Sequence, residues 1–422
     1  MILSFLFGLI IFFSVLFSSR YLNQLIPVYK KVSIGVVGAY TKDNLPPLVT
    51  SKFSRGLTKI AQDGSIKPDI AAKWEEQDSG KTYKFTLKEH EYFSNGQHVT
   101  SDKVLYNFSD TTVERPDQYT IVYKLKDVYS PFLVTVSRGI FNGGYTGIGE
   151  YKIEDSTVNG DFIQSLTMTS VKNRFNLLRY QFYPTEEALK MAFLLGEVSE
   201  ANGLTDPSYK QMPFSKFPNT SVEKVTDYAR VVTLFYNTND NVLSDKKARL
   251  ALSYALPESY KAGKKAFLPY SPESIYYNKE LAERKQDYEH AKLLLNSATP
   301  KLTVKTLKKY RPTAQAVADS WKKIGIQTTI EEVDGVPDTF QIFLGDITIP
   351  QDPDQYTLWH SSQANNITKY RNLRIDKLLE DGRKTVDVEE RQRIYNDFQK
   401  YLMDDSPASF LSFQYEYNVI RK

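Results

Sequence analysis

The 422-residue chain contains no cysteine, which excludes disulfides, thiolate metal sites, cysteine nucleophiles and attachment through a lipid-modified cysteine. Histidine is scarce, with four residues in all. His90-Glu91 begins a zinc-protease motif, but Ser94 stands where the second histidine belongs, and His98, His290 and His360 are scattered singly. Charge of one sign is also lacking. There are 54 basic and 50 acidic residues, and three of the basic ones, Arg20, Lys30 and Lys31, lie in an acid-free stretch at 1–31, leaving +1 on the remainder. A nucleic-acid binder needs a basic excess to displace counterions from phosphates, so nucleic acid is excluded as a partner. The catalytic motifs are missing too: there is no GxSxG, and Gly80-Lys81-Thr82 has Glu75 where a phosphate-binding loop needs its first glycine. Gly143-Gly144-Tyr-Thr-Gly147-Ile-Gly149 has Lys152 where a dinucleotide fingerprint has its third glycine. The carboxylate pairs Glu75-Glu76, Glu331-Glu332 and Asp404-Asp405 read as solvated faces or caps.

What is present is ordinary globular material: 41% hydrophobic and 25% charged residues, with enough length for two or three domains. A long apolar run without charge occupies residues 1–17. Its length falls between a signal-peptide core and the ~20 residues of a full membrane span. No basic residue precedes it and only Ser18-Ser19 offers a weak cleavage site, which favours an uncleaved anchor over a signal peptide.

Further along, Tyr83, Phe85 and Leu87 alternate with Thr82, Lys84, Thr86 and Lys88, which predicts a half-buried strand after the turn Asp78-Ser79-Gly80. Ser94-Asn95-Gly96 marks another turn, and Tyr119, Ile121, Tyr123 and Leu125 alternate in a second strand, so this stretch reads as a small antiparallel sheet. Residues 229–236, ARVVTLFY, are apolar on both faces and predict a central strand covered on both sides. Pro184-Thr185-Glu186-Glu187 opens a helix carrying Ala188, Leu189, Ala192 and Phe193 at helical spacing and stopped by Gly196. Residues 302–304, 313–323 and 326–330 read as strand, helix and strand, a βαβ unit that implies a parallel pair. Asp387-x-x-Glu390 is a capping box for a later helix. The pattern is that of two α/β lobes with a small β-rich insertion, and ligands in such folds bind between lobes.

Several segments, in order, resemble the family 5 solute-binding proteins, the extracytoplasmic receptors of peptide and nickel ABC transporters. The first runs from Arg55-Gly56-Leu57 through Pro68, Ala71 or Ala72, Trp74, Tyr83, Phe85, Leu87, Phe93, Gly96, Thr100 and Asp102, with Lys103 interposed before Val104. Gly147-x-Gly149-x-Tyr151, Asn237-Thr238, Asp245 to Ala251, Ile324-Gly325-Ile326, Asp352-Pro353-Asp354-Gln355-Tyr356, Tyr370 to Leu379 and Arg391 to Pro407 continue it.

The resemblance implies a class II periplasmic-binding-protein-like α/β fold, two lobes with a central ligand cleft and a shortened β-rich insertion domain. Residues 1–31 would be a membrane anchor or signal peptide; lobe I would take 32–55, 141–235 and 408–422, the insertion 56–140, and lobe III 236–407. Most matched residues would be scaffold: Trp74, Tyr83 and Phe85 in sheet core, Gly96 and Gly147 at turns, Arg249 in a buried ion pair. The implied protein is not an enzyme and needs no cofactor or metal. It is a monomer, anchored at the cell surface or in the periplasm through residues 1–17, that captures an oligopeptide by lobe closure and hands it to an ABC permease. A receptor for a non-peptide small solute, and a membrane-tethered interaction or chaperone-like protein that has lost transport, are the alternatives. Peptide-binding members carry a Trp followed by D-Y-x-D-P, whose first Asp pairs with the ligand's ammonium. Here that Asp is Ile349 and the Trp position is Asp346, so Asp346 is the candidate ammonium partner. The other candidate cleft residues are Tyr40, Tyr356, Trp359, His360 and Asn372, with lobe packing as the alternative role for Tyr356 and Trp359.

Overall fold

A computed structural model describes residues 30–422 and, before them, Gly8, Phe13 and Ser14. Its backbone is an eleven-stranded mixed sheet that runs through both lobes. In lobe III, Gln327–Val333 and Ile342–Thr348 flank Lys301–Leu307, all three parallel. Ile342–Thr348 then pairs antiparallel with the long strand Thr220–Tyr236, which pairs along its other edge with the last strand, Ala408–Arg421. The last strand continues into lobe I, where Glu200–Leu204, the first strand Lys30–Val37, Asn176–Tyr183, Phe162–Ser170 and Tyr151–Asn159 follow in that order.

The long strand crosses because its two halves suit two environments. Residues 220–227 are polar and half exposed, whereas Val231 to Tyr236 are all buried. Val232, Leu234 and Tyr236 enter one apolar cluster with Trp321, and Val231 and Phe235 enter another with Tyr395 and Phe398. Helix Arg311–Lys322 covers the first cluster, its fully buried Trp321 donating from the indole to the Leu252 carbonyl at 2.9 Å. It ends before Gly325, whose φ of +85° reverses the chain at little steric cost. Helix Val388–Asp405 covers the second cluster, with Asp387 accepting the Glu390 amide as N-cap.

The segment between the lobe I pieces folds as the antiparallel sheet Ala71–Gln77, Thr82–Leu87, Thr120–Leu125, Thr111–Asp117 over its own core of Phe85, Tyr123 and Phe132. It also touches lobe III. The Ser130 hydroxyl and amide donate to the Gly382 and Arg383 carbonyls, at 2.9 and 2.8 Å, and the Ile275 amide donates to Asp63 at 2.8 Å.

Three expectations change. The anchor over residues 1–17 is corrected: among the described residues no helix is long and apolar enough to cross a membrane, and apart from Gly8, Phe13 and Ser14 that segment lies outside the described residues. Trp74, Tyr83 and Phe85 stand with the sheet core as expected: Tyr83 and Phe85 are buried, and the partly exposed Trp74 packs against their cluster while also facing lobe III. Gly147 is not at a left-handed turn; a Cβ there would stand 2.2 Å from the Phe53 carbonyl oxygen, so the residue is small because helix Pro47–Phe53 lies against it. Among the described residues Arg249 makes no ion pair. Its guanidinium donates to the carbonyls of Leu243, Ser244, Asp405 and Ser406, of which the last two lie at the end of helix Val388–Asp405. Those carbonyls lack helical partners, so a buried cation satisfies them.

Candidate functional site

The carboxyl ends of the parallel strands in both lobes point to the junction, which is where α/β folds bind ligands. From lobe I, the first strand ends at Val37, turns at Gly38 (φ +139°) and presents Tyr40. The Tyr40 hydroxyl donates to the Val37 carbonyl at 3.0 Å and its ring meets Phe182 edge-on. From lobe III, Lys309 and Tyr310 follow Lys301–Leu307, and Asp346 sits near the end of Ile342–Thr348.

Between them, the crossing strands supply charge. Arg230 Nε lies 3.3 Å from Asp227 Oδ2, and its terminal nitrogens lie 3.9 Å from Asp346 and 3.7 Å from Glu416. Lys309 Nζ lies 3.1 Å from Asp346. Three carboxylates thus face two cations, and the fully ionised cluster carries one net negative charge. Burial opposes the Arg230 charge, but Asp227, Asp346 and Glu416 outweigh it and hold its pKa above the ordinary arginine value. For Glu416, burial and the Asp227 charge push the carboxyl up, against Arg230. A carboxyl whose folded pKa is raised contributes stability below its unfolded value that is lost as pH rises through the folded one. Glu416→Gln is therefore expected to gain stability relative to the parent as pH climbs from 4.5. Urea midpoints across that range check it, and parallel curves would refute it.

On the opposite face of the crossing strands is a cavity of about 280 Å³, bounded by Gln62 and Gly64 of the insertion, Tyr228 and Ala229 of the long strand, and Tyr270 and Ile349 of lobe III. The chain bulges here, where the pairing register of the long and last strands shifts between Asp227 and Val231. Ile349 is buried and its amide donates to the Ala229 carbonyl at 2.7 Å, so the residue lends the cavity an apolar wall.

The structure divides the expected residues. Tyr40 and Asp346 come to the junction, both acting electrostatically with Arg230, and Asp346 already has Lys309 as cationic partner. The other four are engaged in lobe III. Trp359 is 2% exposed, donates to Gln355 at 2.8 Å and packs edge-on to Phe410. His360 stacks on Tyr356 with centroids 4.1 Å apart and lies 3.4 Å from Glu380, and the Arg383 guanidinium covers the Tyr356 ring. Asn372 caps helix Leu373–Lys384 through Arg374 and Ile375. None of the six lines the cavity. Arg230, Glu416 and Lys309 did not emerge from the sequence, although a signal existed: Arg230 is the one charge in ARVVTLFY and Glu416 the one in ASFLSFQYEYNVI. A charge in a strand apolar on both faces needs a partner or water, and a cleft supplies both.

Comparison with known proteins agrees with this geometry. Residues 65–368 match the model of the bacterial extracellular solute-binding proteins, family 5 Middle. The chain is 24% identical to the oligopeptide-binding protein AppA of Bacillus subtilis, over 88% of this chain and 82% of that one. Its fold is similar to that of the ABC transporter substrate-binding protein CtaP from Listeria monocytogenes, with a TM-score of 0.79 at 20% identity over 93% and 94% of the two chains. It is also similar to that of NikZ from Campylobacter jejuni in complex with Ni(L-His), with a TM-score of 0.74 at 21% identity over 93% and 94%.

Proposed function

Because the chain belongs to the family 5 bacterial extracellular solute-binding proteins, we propose that it is the extracytoplasmic receptor of an ABC importer, that it captures oligopeptides between its lobes, and that it passes them unmodified to a permease. The observation that carries the reading is the cavity at the crossing strands, walled by residues of both lobe III and the insertion and adjoining a bulge where the strands can flex. The similarity to an oligopeptide-binding protein supports the ligand class. The net negative charge at the lobe junction, across the crossing strands from the cavity, also suits an ammonium-bearing ligand. In this reading lobe I comprises 32–55, 141–235 and 408–422, the insertion 56–140 and lobe III 236–407. Tyr40 lies on the lobe I side of the cleft, and Asp346, held by Lys309, orders the charges rather than meeting the ligand alone.

Native mass spectrometry of the purified full chain, with fragmentation of whatever is released, tests this. A ladder of peptide masses is expected, and peptides at a hundred times their Kd should stabilise the protein by about 2.7 kcal/mol. A single non-peptide mass would keep the receptor and replace its ligand. An empty protein that no peptide library stabilises would overturn the proposal.

A further inference from the structure

A second cavity, of about 290 Å³, lies in the seam between the insertion sheet and lobe III. It adjoins the cleft cavity, since Gly64 and Pro353 belong to the walls of both. Its walls are chiefly rings and aliphatic chains: Trp74 and Tyr83 from the insertion sheet, Val134 from the helical turn beside it, and Ile275 and Tyr276 from lobe III. The buried charges on its wall are already satisfied. Arg391 and Asp352, 6% and 8% exposed, hold each other through two bonds of 2.9 and 2.5 Å, so neither demands an ionic guest. The space itself exceeds the about 150 Å³ that suffices to bind benzene in an apolar cavity.

Building on the receptor reading above, we propose that this seam is a subsite for one aromatic side chain of the ligand, whose ring fills the cavity. The insertion then selects the ligand, closing over one residue of it while the cleft holds the backbone. Trp74 packs against the insertion core on one side and lines the cavity on the other.

The test uses the full chain and a set of pentapeptides, all alanine except for a single Trp, Tyr, Phe or Leu moved through the five positions, with Kd measured by calorimetry. Burial of a ring predicts a preference of about ten- to a hundredfold for Trp or Tyr over Ala at one position. Val134→Trp, which fills the cavity, should abolish that preference while leaving the all-alanine Kd unchanged. Trp74→Ala, with its folding checked by a cooperative thermal transition, should reduce it severalfold. Peptide binding with no favoured position, or a preference that survives both cavity variants, overturns the subsite and leaves the receptor reading intact. If the parent binds none of the peptides, both readings fall.

Discussion

Asp352→Ala is expected to destabilise the protein by about 3–5 kcal/mol, because it leaves the Arg391 guanidinium buried without a counter-charge. Arg391 is 6% exposed on its side chain and enclosed by the rings of Tyr276 and Tyr395, whose centroids lie 5.6 and 5.4 Å away. Its remaining Nε bond, to the Gly382 carbonyl, does not neutralise it. The same aspartate accepts the Asp354 amide at 2.9 Å, so the loop that carries Asp354 and its partner Arg383 loosens as well. The cost belongs to the orphaned charge rather than to the pair. The double variant Asp352→Leu with Arg391→Met should therefore recover most of the loss. Urea unfolding of the two variants beside the parent measures this, and a single-variant loss under about 1 kcal/mol would show that water reaches Arg391 through the seam.

Gly149→Ala and Gly147→Ala form the second test, with losses at or above the upper end of the about 1–3 kcal/mol usual for overpacking. A Cβ on Gly149 would stand 2.4 Å from the Phe53 Cα and 2.5 Å from the Lys52 carbonyl oxygen; one on Gly147 would meet the Phe53 oxygen at 2.2 Å. These are backbone atoms of helix Pro47–Phe53, and no rotamer change moves them away. Gly96→Ala is the contrast: its Cβ would meet open space, and its cost comes only from φ +83°, about 1 kcal/mol on the scale of backbone strain. Thermal midpoints should therefore fall for Gly149 and Gly147 well beyond Gly96. Equal shifts would mean that the helix backs off.

Local elements were legible because their causes are local. The alternation through Tyr83, Phe85 and Leu87, the doubly apolar run after Ala229 and the Asp387 cap each state a face or a terminus within a few residues. Gly147 was read as a turn because glycine usually marks one, whereas the reason for it is a helix about a hundred residues earlier in the chain. Arg391 and Asp352 were each visible in a separate matched segment, yet their pairing spans 39 residues. The same distance hid the charge cluster: Asp227, Lys309, Asp346 and Glu416 come from four segments and meet Arg230 or one another only after the sheet is assembled. Trp359, His360 and Asn372 sit in matched segments, and their partners in lobe III engage them in packing, stacking and capping.

The position of the last strand bears on when this protein can fold. Ala408–Arg421 lies in the middle of the sheet and is the strand through which the two lobes' ladders are joined. Until those residues leave the ribosome, the large sheet is two half-sheets with open edges, and pairings such as that of Thr220 with Arg421 must wait for them. Such long-range pairing is slow to form. The lobes of a newly made chain therefore stay unjoined until this strand is available, so the two-lobed shape is acquired late.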